Sequence, residues 1–464
     1  MQFHLIDLTI IGAYFAVVVF LGWIKGGQPK DEDYLLMGRQ LTMPGFLLSL
    51  VSTWYGGILG ASEYSYVYGL SNWIVFGVPY YVFAGVFALL LAKRARKKYV
   101  ISIPHLIGEK YGTTGRVLSG GLVLILATPA PYVLTIGVLL NFLLGVPLVP
   151  AIIAGALFSY VYVYRDGLAV IIRTDLFQCV LMYGGYILLF IFAWMAWGSP
   201  VELWSSVREA SPDHVSLTGG EPVSYILVWF FMASWTLVSP MFHQRVYALR
   251  KARHAVPGIF SAILLWCLFD FLTTVIGLYA FTHLPDLADP RVAHLAVGEV
   301  LLPVGLYGLF LTGIFSVVMS TLDSDMFISG VTLGPDMLGR VPALSRMREP
   351  VITRIGMGIV TVVSILFAVF VPSVVDMYYA IGTLAVPGLL LPVLSSAGVF
   401  PSIPRRLVAL HLVVVPGVSA GWYLINHDKP EWLPLMEPFY PGCMASGLVW
   451  MGGLLARKLS KNAS

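Results

Sequence analysis

Long apolar runs, separated by short polar loops, recur along the entire chain. A helix needs about 20 apolar residues to cross the hydrocarbon core of a bilayer. Thirteen runs approach or exceed this length and predict thirteen transmembrane helices, at residues 5–24, 42–70, 73–92, 117–144, 147–164, 168–197, 222–243, 255–282, 301–334, 351–371, 373–399, 406–425 and 437–456. We therefore expect an all-α integral membrane protein.

The composition supports this expectation and excludes a soluble protein. Of the 464 residues, 58% are hydrophobic and only 11% are charged, whereas soluble domains carry roughly 25% charged residues. No long polar block leaves room for a separate soluble catalytic or regulatory domain. The three cysteines, Cys179, Cys267 and Cys443, are scattered in apolar runs, which indicates neither a disulfide framework nor a thiolate metal site.

The basic residues predict the orientation, because Lys and Arg remain on the cytoplasmic side of inserted helices. With the N-terminus outside, 25 of the 28 basic residues fall in inner loops, and Arg208, Arg291 and Lys429 fall outside. Residues Met1–Leu5 do not resemble a charged signal-peptide start, so the first apolar run is expected to be retained. We predict a multi-pass protein of a bacterial-type inner (plasma) membrane, with its N-terminus outside and its C-terminus in the cytoplasm.

Two of the predicted helices carry polar and glycine clusters near the expected membrane midplane. In the second span, Ser52–Gly57 is followed by Gly60, and in the seventh, Ser234–Thr236 is followed by Ser239–Pro240. Paired interruptions of this kind are typical of discontinuous helices whose free backbone groups line a binding site. The alternative is that these glycines only allow close helix packing.

The order of the spans predicts an internal repeat. Spans two to six and seven to eleven form two sets of five, and each set begins with an interrupted helix. Because five is odd, the two sets would lie in the membrane with opposite orientations. The predicted units are residues 1–41 for an extra N-terminal helix and loop, 42–197 and 198–399 for the two repeats, and 400–464 for two C-terminal helices.

Five short stretches, taken together and in this order, are distinctive. They are Thr53–Gly57 with Gly60 and Gly69, Ile103–His105 with Lys110–Gly112, Gly167–Leu168 with Arg173–Asp175 and Gln178, Gln244–Arg245 with Ala248, and Met319–Ser324. With them the chain resembles the sodium:solute symporter family, whose fold is the LeuT-type five-plus-five inverted repeat. The resemblance implies sodium-coupled import of a small polar organic solute by alternating access, with no covalent chemistry. The family transports many solute classes, so the substrate does not follow from membership.

A polar face on the ninth span is suited to a sodium ion, which as a hard cation prefers oxygen ligands. Spacings of three and four residues place this face along one side of a helix, with Val317, Ser320, Thr321 and Ser324 on it. The resemblance implies a common sodium site built from the carbonyls of Leu50, Thr53 and Val317 and the hydroxyls of Ser320 and Thr321. The alternative is that these hydroxyls bond to carbonyls of their own helix and only bend it.

Two carboxylates inside apolar stretches predict a second cation site, because a charge at the bilayer centre costs roughly 2.5 to 3.5 kcal/mol on insertion scales. Some family members hold a second sodium with the aspartate that matches Asp175 and with two hydroxyls. This chain has Asp323 and Ser324 at the hydroxyl positions. Two carboxylates could bind sodium more strongly or share a proton. In the structural alternative, Asp175 pairs with Arg173 at the cytoplasmic edge.

The resemblance also implies a solute cavity walled by core helices 1, 3, 6 and 10. The candidate wall residues are Gly57, Ser62, Tyr132, Trp235, Tyr379 and Thr383. Aromatic rings at such positions could gate access or attract a quaternary amine by roughly 0.5 to 2 kcal/mol, or they could belong to the interfacial aromatic belts. No arginine in the spans is expected to meet a substrate carboxylate, which disfavours a strictly anionic solute.

Other functional classes are weighed against symport. A proton-coupled transporter of the same fold is the main alternative. A channel would not need paired broken helices, and a sensor would usually bring a signalling domain, whereas few residues follow Arg457. An enzyme would need a nucleophile with its base or a metal cluster, and the histidines are dispersed. The expected partners are the solute, sodium and the lipid bilayer, with no nucleic acid and no obligate protein partner.

Overall fold

The structure is a computed structural model that describes residues 4–24, 31–371, 373–427 and 436–462. These residues form helices joined by loops. Among them, Leu41 and Leu249 form an isolated parallel β-bridge. The predicted all-α architecture is confirmed. Lys429, predicted to lie on the outer side, falls outside the described residues.

Residues 4–24 and 31–197 contain eleven α-helices. They are α1 (Leu5–Trp23), α2 (Asp31–Leu36), α3 (Met43–Ser52), α4 (Ile58–Tyr68), α5 (Ser71–Phe76), α6 (Val78–Phe87), α7 (Lys93–Lys97), α8 (Ile103–Leu126), α9 (Ala130–Leu144), α10 (Leu148–Val163) and α11 (Leu168–Trp197). A π-helical turn, Ala88–Ala92, joins α6 to α7.

The second half contributes eleven more in the part of the chain that the structure describes. They are α12 (Pro200–Ala210), α13 (Val223–Met232), α14 (Trp235–Val238), α15 (Pro240–Ala248), α16 (Ala255–His283), α17 (Ala293–Leu301), α18 (Leu306–Val331), α19 (Glu349–Phe370), α20 (Val374–Ser396), α21 (Arg405–His427) and α22 (Phe439–Asn462). A second π-helical segment, Thr332–Met337, follows α18.

Eleven helical stretches in the described ranges are long and apolar enough to cross a membrane. Two predicted spans, 42–70 and 147–164, are not among them. The first is broken into the short helices α3 and α4, and the second corresponds to α10, which has 16 residues. The total of thirteen spans therefore stays a prediction.

The helix that carries the predicted fourth span, α8, begins at Ile103 and is kinked at Gly112, whose φ of 83° and ψ of −178° are not helical. The Ser102 hydroxyl accepts a hydrogen bond from the backbone N–H of His105 at 3.0 Å and so caps the start of α8. Pro104 stands in the first turn, where its missing N–H costs no hydrogen bond. The helix therefore starts in the loop that precedes the apolar run.

Helix α18 lies at the centre of the molecule. Every residue from 310 to 332 is buried, including its hydroxyls and carboxylates. The outer helices instead expose large apolar side chains, such as Phe20 of α1, Phe367 of α19 and Leu455 of α22. Such a surface is typical of helices that face lipid, because membrane helices need no polar exterior.

The two interrupted elements are tied together at one end. The backbone N–H of Leu41, just before α3, donates to the carbonyl of Ala248 at 3.0 Å, and the N–H of Arg250 donates to the carbonyl of Leu41 at 2.9 Å. These bonds hold the start of α3 beside the end of α15. The polar site described next lies between these elements and α18.

Candidate functional site

The first interruption separates α3 from α4 at residues 53–57. There is no room for a side chain at either of its two glycines. A Cβ on Gly56 would lie 2.5 Å from Tyr132 and 2.6 Å from Thr321, and a Cβ on Gly57 would lie 2.7 Å from the Tyr378 hydroxyl. The break therefore packs directly against α9, α18 and α20. This close approach explains why glycines occupy the two positions.

The second interruption lies between α13 and α15. Helix α13 ends at Met232, and Pro240 begins α15, so its missing N–H coincides with a break in the ladder of helix hydrogen bonds. The buried His243 lies with its Nε2 3.1 Å from the carbonyl of Leu237 and its Nδ1 3.0 Å from the Tyr247 hydroxyl. Both predicted discontinuous helices are thus confirmed.

The polar face of α18 lies against the end of α3. The Ser320 hydroxyl is 2.9 Å from that of Ser52 and donates to Asp175 Oδ1 at 2.6 Å. Ser320 thus makes no bond to its own helix, contrary to the back-bonding alternative. The Thr321 hydroxyl does follow that alternative, since it donates to the Val317 carbonyl at 3.2 Å.

The five residues predicted to hold the common sodium ion lie on α3, on the first interruption and on α18. All five are almost completely buried, and they are Leu50, Thr53, Val317, Ser320 and Thr321. The Thr53 hydroxyl donates to the Ser49 carbonyl at 2.8 Å; the Thr53 oxygen predicted to meet the cation is its backbone carbonyl. The arrangement supplies carbonyl and hydroxyl oxygens, the donor types that suit sodium.

Asp175 is fully buried on α11 and forms an ion pair with Arg245 of α15, with 3.5 Å between Nη2 and Oδ2. Its carboxylate also accepts hydrogen bonds from Ser49 and Ser320. The pairing of Asp175 with Arg173, considered above, is absent in the described residues. Arg173 instead pairs with Asp166 at 3.2 Å.

Arg245 belongs to one of the distinctive stretches and is predicted to lie on the inner side, but its burial beside Asp175 was not predicted. Its side chain is fully buried. Besides Asp175, the guanidinium donates to Ser324 at 2.5 Å, to Gln244 at 3.0 Å and to Ser49 at 3.2 Å. The available signal was its position only five residues after Pro240, inside the continuing helix α15.

Asp323 lies on a different side of α18 from Ser324. Its carboxylate accepts hydrogen bonds from Ser159 and Tyr162 of α10, whereas Ser324 faces Arg245. Adjacent helical residues point about 100° apart, so the two side chains meet different neighbours. The structure does not bring Asp175, Asp323 and Ser324 to one set of hydrogen bonds, and a joint second cation site stays a prediction.

A cavity of about 140 Å³ lies between the two interruptions. Three of the six predicted wall residues line it: Gly57, Tyr132 and Trp235. The other three are not among its lining residues. Ser62 accepts a hydrogen bond from the His294 backbone at 3.0 Å, Tyr379 donates to Glu437, and Thr383 is buried within α20.

Several lining residues were not anticipated. Trp54, Tyr80, Trp229 and Tyr378 add aromatic walls, and Asp270 and Asp325 add carboxylates. Asp325 lies one helical turn after Thr321, which places both on the face of α18 that points towards the first interruption. The signal that could have found it was a second aspartate within the apolar ninth span, two residues after Asp323.

Comparisons with known proteins agree with this architecture. A model of the sodium:solute symporter family matches residues 34–395. The sodium/glucose cotransporter of Vibrio parahaemolyticus is 24% identical over 375 residues, which cover 69% of this chain and 66% of that protein. The high-affinity proline transporter PutP of Bacillus subtilis is 25% identical over 330 residues, or 66% of this chain and 68% of that protein.

The matched segment spans less than two thirds of the Vibrio protein and 57% of a putative sodium-dependent multivitamin transporter of Drosophila melanogaster. Among solved structures, a substrate-bound, outward-open Na+-coupled sialic acid symporter is similar over 99% of this chain and 98% of its own, with a TM-score of 0.81 and 18% identity. A nucleobase-cation-symport-1 transporter follows at a TM-score of 0.59, with 14% identity and 92% and 94% coverage. The expected LeuT-type fold is confirmed.

Proposed function

The chain belongs to the sodium:solute symporter family, and we propose that it is a symporter that couples the inward movement of sodium to the import of a small polar organic solute. Membership in this family agrees with a transporter and not with an enzyme. To family membership, the proposal adds that sodium is the coupling ion of this protein and that transport is directed inward. With the N-terminus outside, as the basic residues predict, the solute would enter the cytoplasm across a bacterial-type inner membrane.

One observation carries the proposal: the hydroxyl face of α18 lies against the broken end of α3. Ser320 lies 2.9 Å from Ser52, and Thr321 is in van der Waals contact range of the Gly56 backbone. An ion held here would contact both elements at once. Sodium would thereby stabilise one relative arrangement of α3 and α18, which is how a ligand shifts a conformational equilibrium.

We assign the ion to the carbonyls of Leu50, Thr53 and Val317 and to the hydroxyls of Ser320 and Thr321. The Ser320 hydroxyl proton already points to the Asp175 carboxylate, so its oxygen lone pairs are free to face a cation. Asp175 would orient this ligand and supply negative charge nearby without being a direct ligand. This is the hydrogen-bonding role that outer-shell carboxylates play at metal sites.

The solute is assigned to the cavity between the two interruptions, next to the sodium site. We propose that the two sets of five helices, residues 42–197 and 198–399, move against each other around this cavity. The solute and the ion would then be exposed to one side of the membrane at a time. Because both ligands contact the same interrupted helix, the binding of each would favour the binding of the other.

Uptake into proteoliposomes tests the proposal. The purified protein is reconstituted, a defined mixture of metabolites is added outside, and mass spectrometry identifies what accumulates. An inward sodium gradient is expected to drive accumulation of at least one solute, whereas an equal potassium gradient is not. Accumulation that follows an imposed proton gradient and ignores sodium would instead support the proton-coupled alternative.

A further inference from the structure

We propose that the cavity between the two interruptions binds an organic cation, an amine or quaternary ammonium compound, with its positive charge against the Asp325 carboxylate. This inference rests on the proposed transport function and adds the chemical class of the solute. Three features of the cavity carry it: a carboxylate without a partner, the absence of basic groups in the described wall, and the aromatic character of that wall.

Asp325 differs from the other buried carboxylates of the described chain. It is only 3% exposed, it lines the cavity, and its Oδ1 has no hydrogen-bond partner. Each of the other six buried aspartates has a hydrogen-bond donor or an ion-pair partner; they are Asp7, Asp166, Asp175, Asp270, Asp323 and Asp336. An unpaired buried charge is strongly unfavourable, so a cationic ligand would supply the missing partner.

Arg245, the buried cation of α15, does not take that role. Its ion pair within 4.0 Å is with Asp175, and its other bonds go to Ser49, Gln244 and Ser324. No lysine, arginine or histidine is among the described residues that line the cavity, whereas two carboxylates are. The wall therefore favours positive charge in the solute.

Aromatic side chains make up much of the remaining wall, beside aliphatic, glycine and small polar residues. The indole and phenol rings come from Trp54, Tyr55, Tyr80, Tyr132, Trp229, Trp235 and Tyr378. The Tyr132 and Tyr378 ring centroids are 6.0 Å apart. Aromatic faces attract ammonium and quaternary ammonium groups. A bare sodium ion would need several oxygen ligands, which these rings do not supply, so an organic cation fits this part of the cavity better.

The size of the cavity and the remaining polar groups of its wall restrict the range of candidate solutes further. The cavity volume of about 140 Å³ is close to that of cavities, roughly 150 Å³, that hold benzene. The Trp229 indole N–H and the Asn72 Oδ1 also line the cavity and have no partner among the described groups. A compact cation with one hydroxyl group, which can accept from the indole N–H and donate to the amide oxygen, would satisfy both.

Thermal unfolding of the purified protein in sodium-containing buffer tests the inference. The probes are choline and its uncharged isostere 3,3-dimethylbutan-1-ol, together with tetramethylammonium. They are titrated against the parent, Asp325→Asn, Asp325→Glu and Asp7→Asn. Asp7→Asn is the matched control: it removes a buried charge outside the cavity, and an amide oxygen can still accept from the Gly305 and Gly308 N–H groups, each 2.8 Å away.

At least one cation is expected to raise the Tm of the parent, and the neutral isostere is not. Asp325→Asn should weaken the apparent Kd about tenfold or more, because hydrogen bonds to charged groups are among the stronger ones. Asp7→Asn should bind like the parent, and Asp325→Glu should recover part of the loss. The inference is overturned if no cation stabilises the parent, if the isostere does so equally, or if Asp325→Asn binds like the parent.

The Tm measured without any solute gives a second, independent test of the unpaired carboxylate. Because Asp325 has no partner to lose, Asp325→Asn should be at least as stable as the parent, and a large loss of Tm would contradict the unpaired carboxylate. Uptake separates this inference from the proposed function. If sodium drives only uncharged or anionic solutes into proteoliposomes, the organic-cation inference fails and symport stands; if sodium drives none, symport itself fails.

Discussion

Removing both members of the buried Asp175–Arg245 pair should destabilise the protein less than the two single removals added together. The charged atoms are 3.5 Å apart and both side chains are fully buried. At an effective dielectric constant of about 20, the attraction at this distance is about 5 kcal/mol. Arg245→Met would leave Asp175 charged and paired only with hydroxyls, and Asp175→Asn would turn amide hydrogens towards the guanidinium.

Each single substitution is expected to cost about 3 to 5 kcal/mol, because it strands a buried charge. The double variant should lose less than the sum, with a coupling free energy of at least about 2 kcal/mol in a double-mutant cycle. The free energy of unfolding is measured for the parent, the two single variants and the double variant by titration with a denaturing detergent in mixed micelles. Arg173→Met is the control, since the Arg173–Asp166 pair is partly exposed and should contribute only about 0 to 1 kcal/mol.

Additive losses in the double variant would refute this reasoning. They would mean that Asp175 and Arg245 act independently, through their separate hydrogen bonds to Ser49, Ser320 and Ser324. The sodium site would then lack the charge-balanced pair that the structure places beside it. If Arg173→Met lowers the free energy of unfolding as much as Arg245→Met does, the effect of Arg245→Met is not specific to the buried pair.

Two further predictions concern the interrupted helix and its contact with α18. Replacing Ser320 and Thr321 together by alanine should raise the sodium concentration for half-maximal uptake at least about tenfold, because two of five oxygen ligands are removed. Ser316→Ala should not, since that hydroxyl bonds to its own helix, 2.7 Å from the Thr312 carbonyl, and equal effects would exclude the site. Gly56→Ala should abolish uptake by steric overlap at 2.5 Å, whereas Gly121→Ala on α8, where a Cβ would meet nothing within 4 Å, should transport normally; the reverse order would show that the break is not tightly packed.

The interruptions could be predicted from sequence because their signal is local. Glycine, proline and hydroxyl residues in the middle of an apolar run weaken a helix wherever they occur. Residues 53–57 and Pro240 therefore marked the breaks before any neighbour was known. Helical periodicity, which is also a local property of the sequence, placed Ser320 and Thr321 on one helical face.

The partners of the buried charges could not be predicted in this way. Arg245 stands at the end of an apolar run, where a basic residue usually anchors a loop, and its partner lies 70 residues earlier on α11. Asp323 and Ser324 are adjacent in sequence but face α10 and Arg245 respectively. Which neighbour each side chain meets depends on how the helices pack, and helical periodicity alone does not contain that information.

Asp325 shows a related gap between sequence and structure. Its position on α18 places it on the Thr321 side of the helix, but its lack of a partner becomes visible only when the surrounding rings are in place. A carboxylate in an apolar span indicates a functional site. The surroundings of the carboxylate distinguish a site for the coupling ion from a site for the solute, and the cavity that Asp325 lines is rich in aromatic rings.

The most direct test of sodium-coupled symport is a paired flux measurement in one set of proteoliposomes. Radioactive sodium and the identified solute are followed together, with no initial sodium gradient and an inward solute gradient. We expect the solute gradient to drive sodium inward against its own rising gradient, in a fixed ratio to the solute, and to cease to do so when Ser320 and Thr321 are replaced by alanine. Solute entry without accompanying sodium would contradict the assignment of this protein as a sodium symporter.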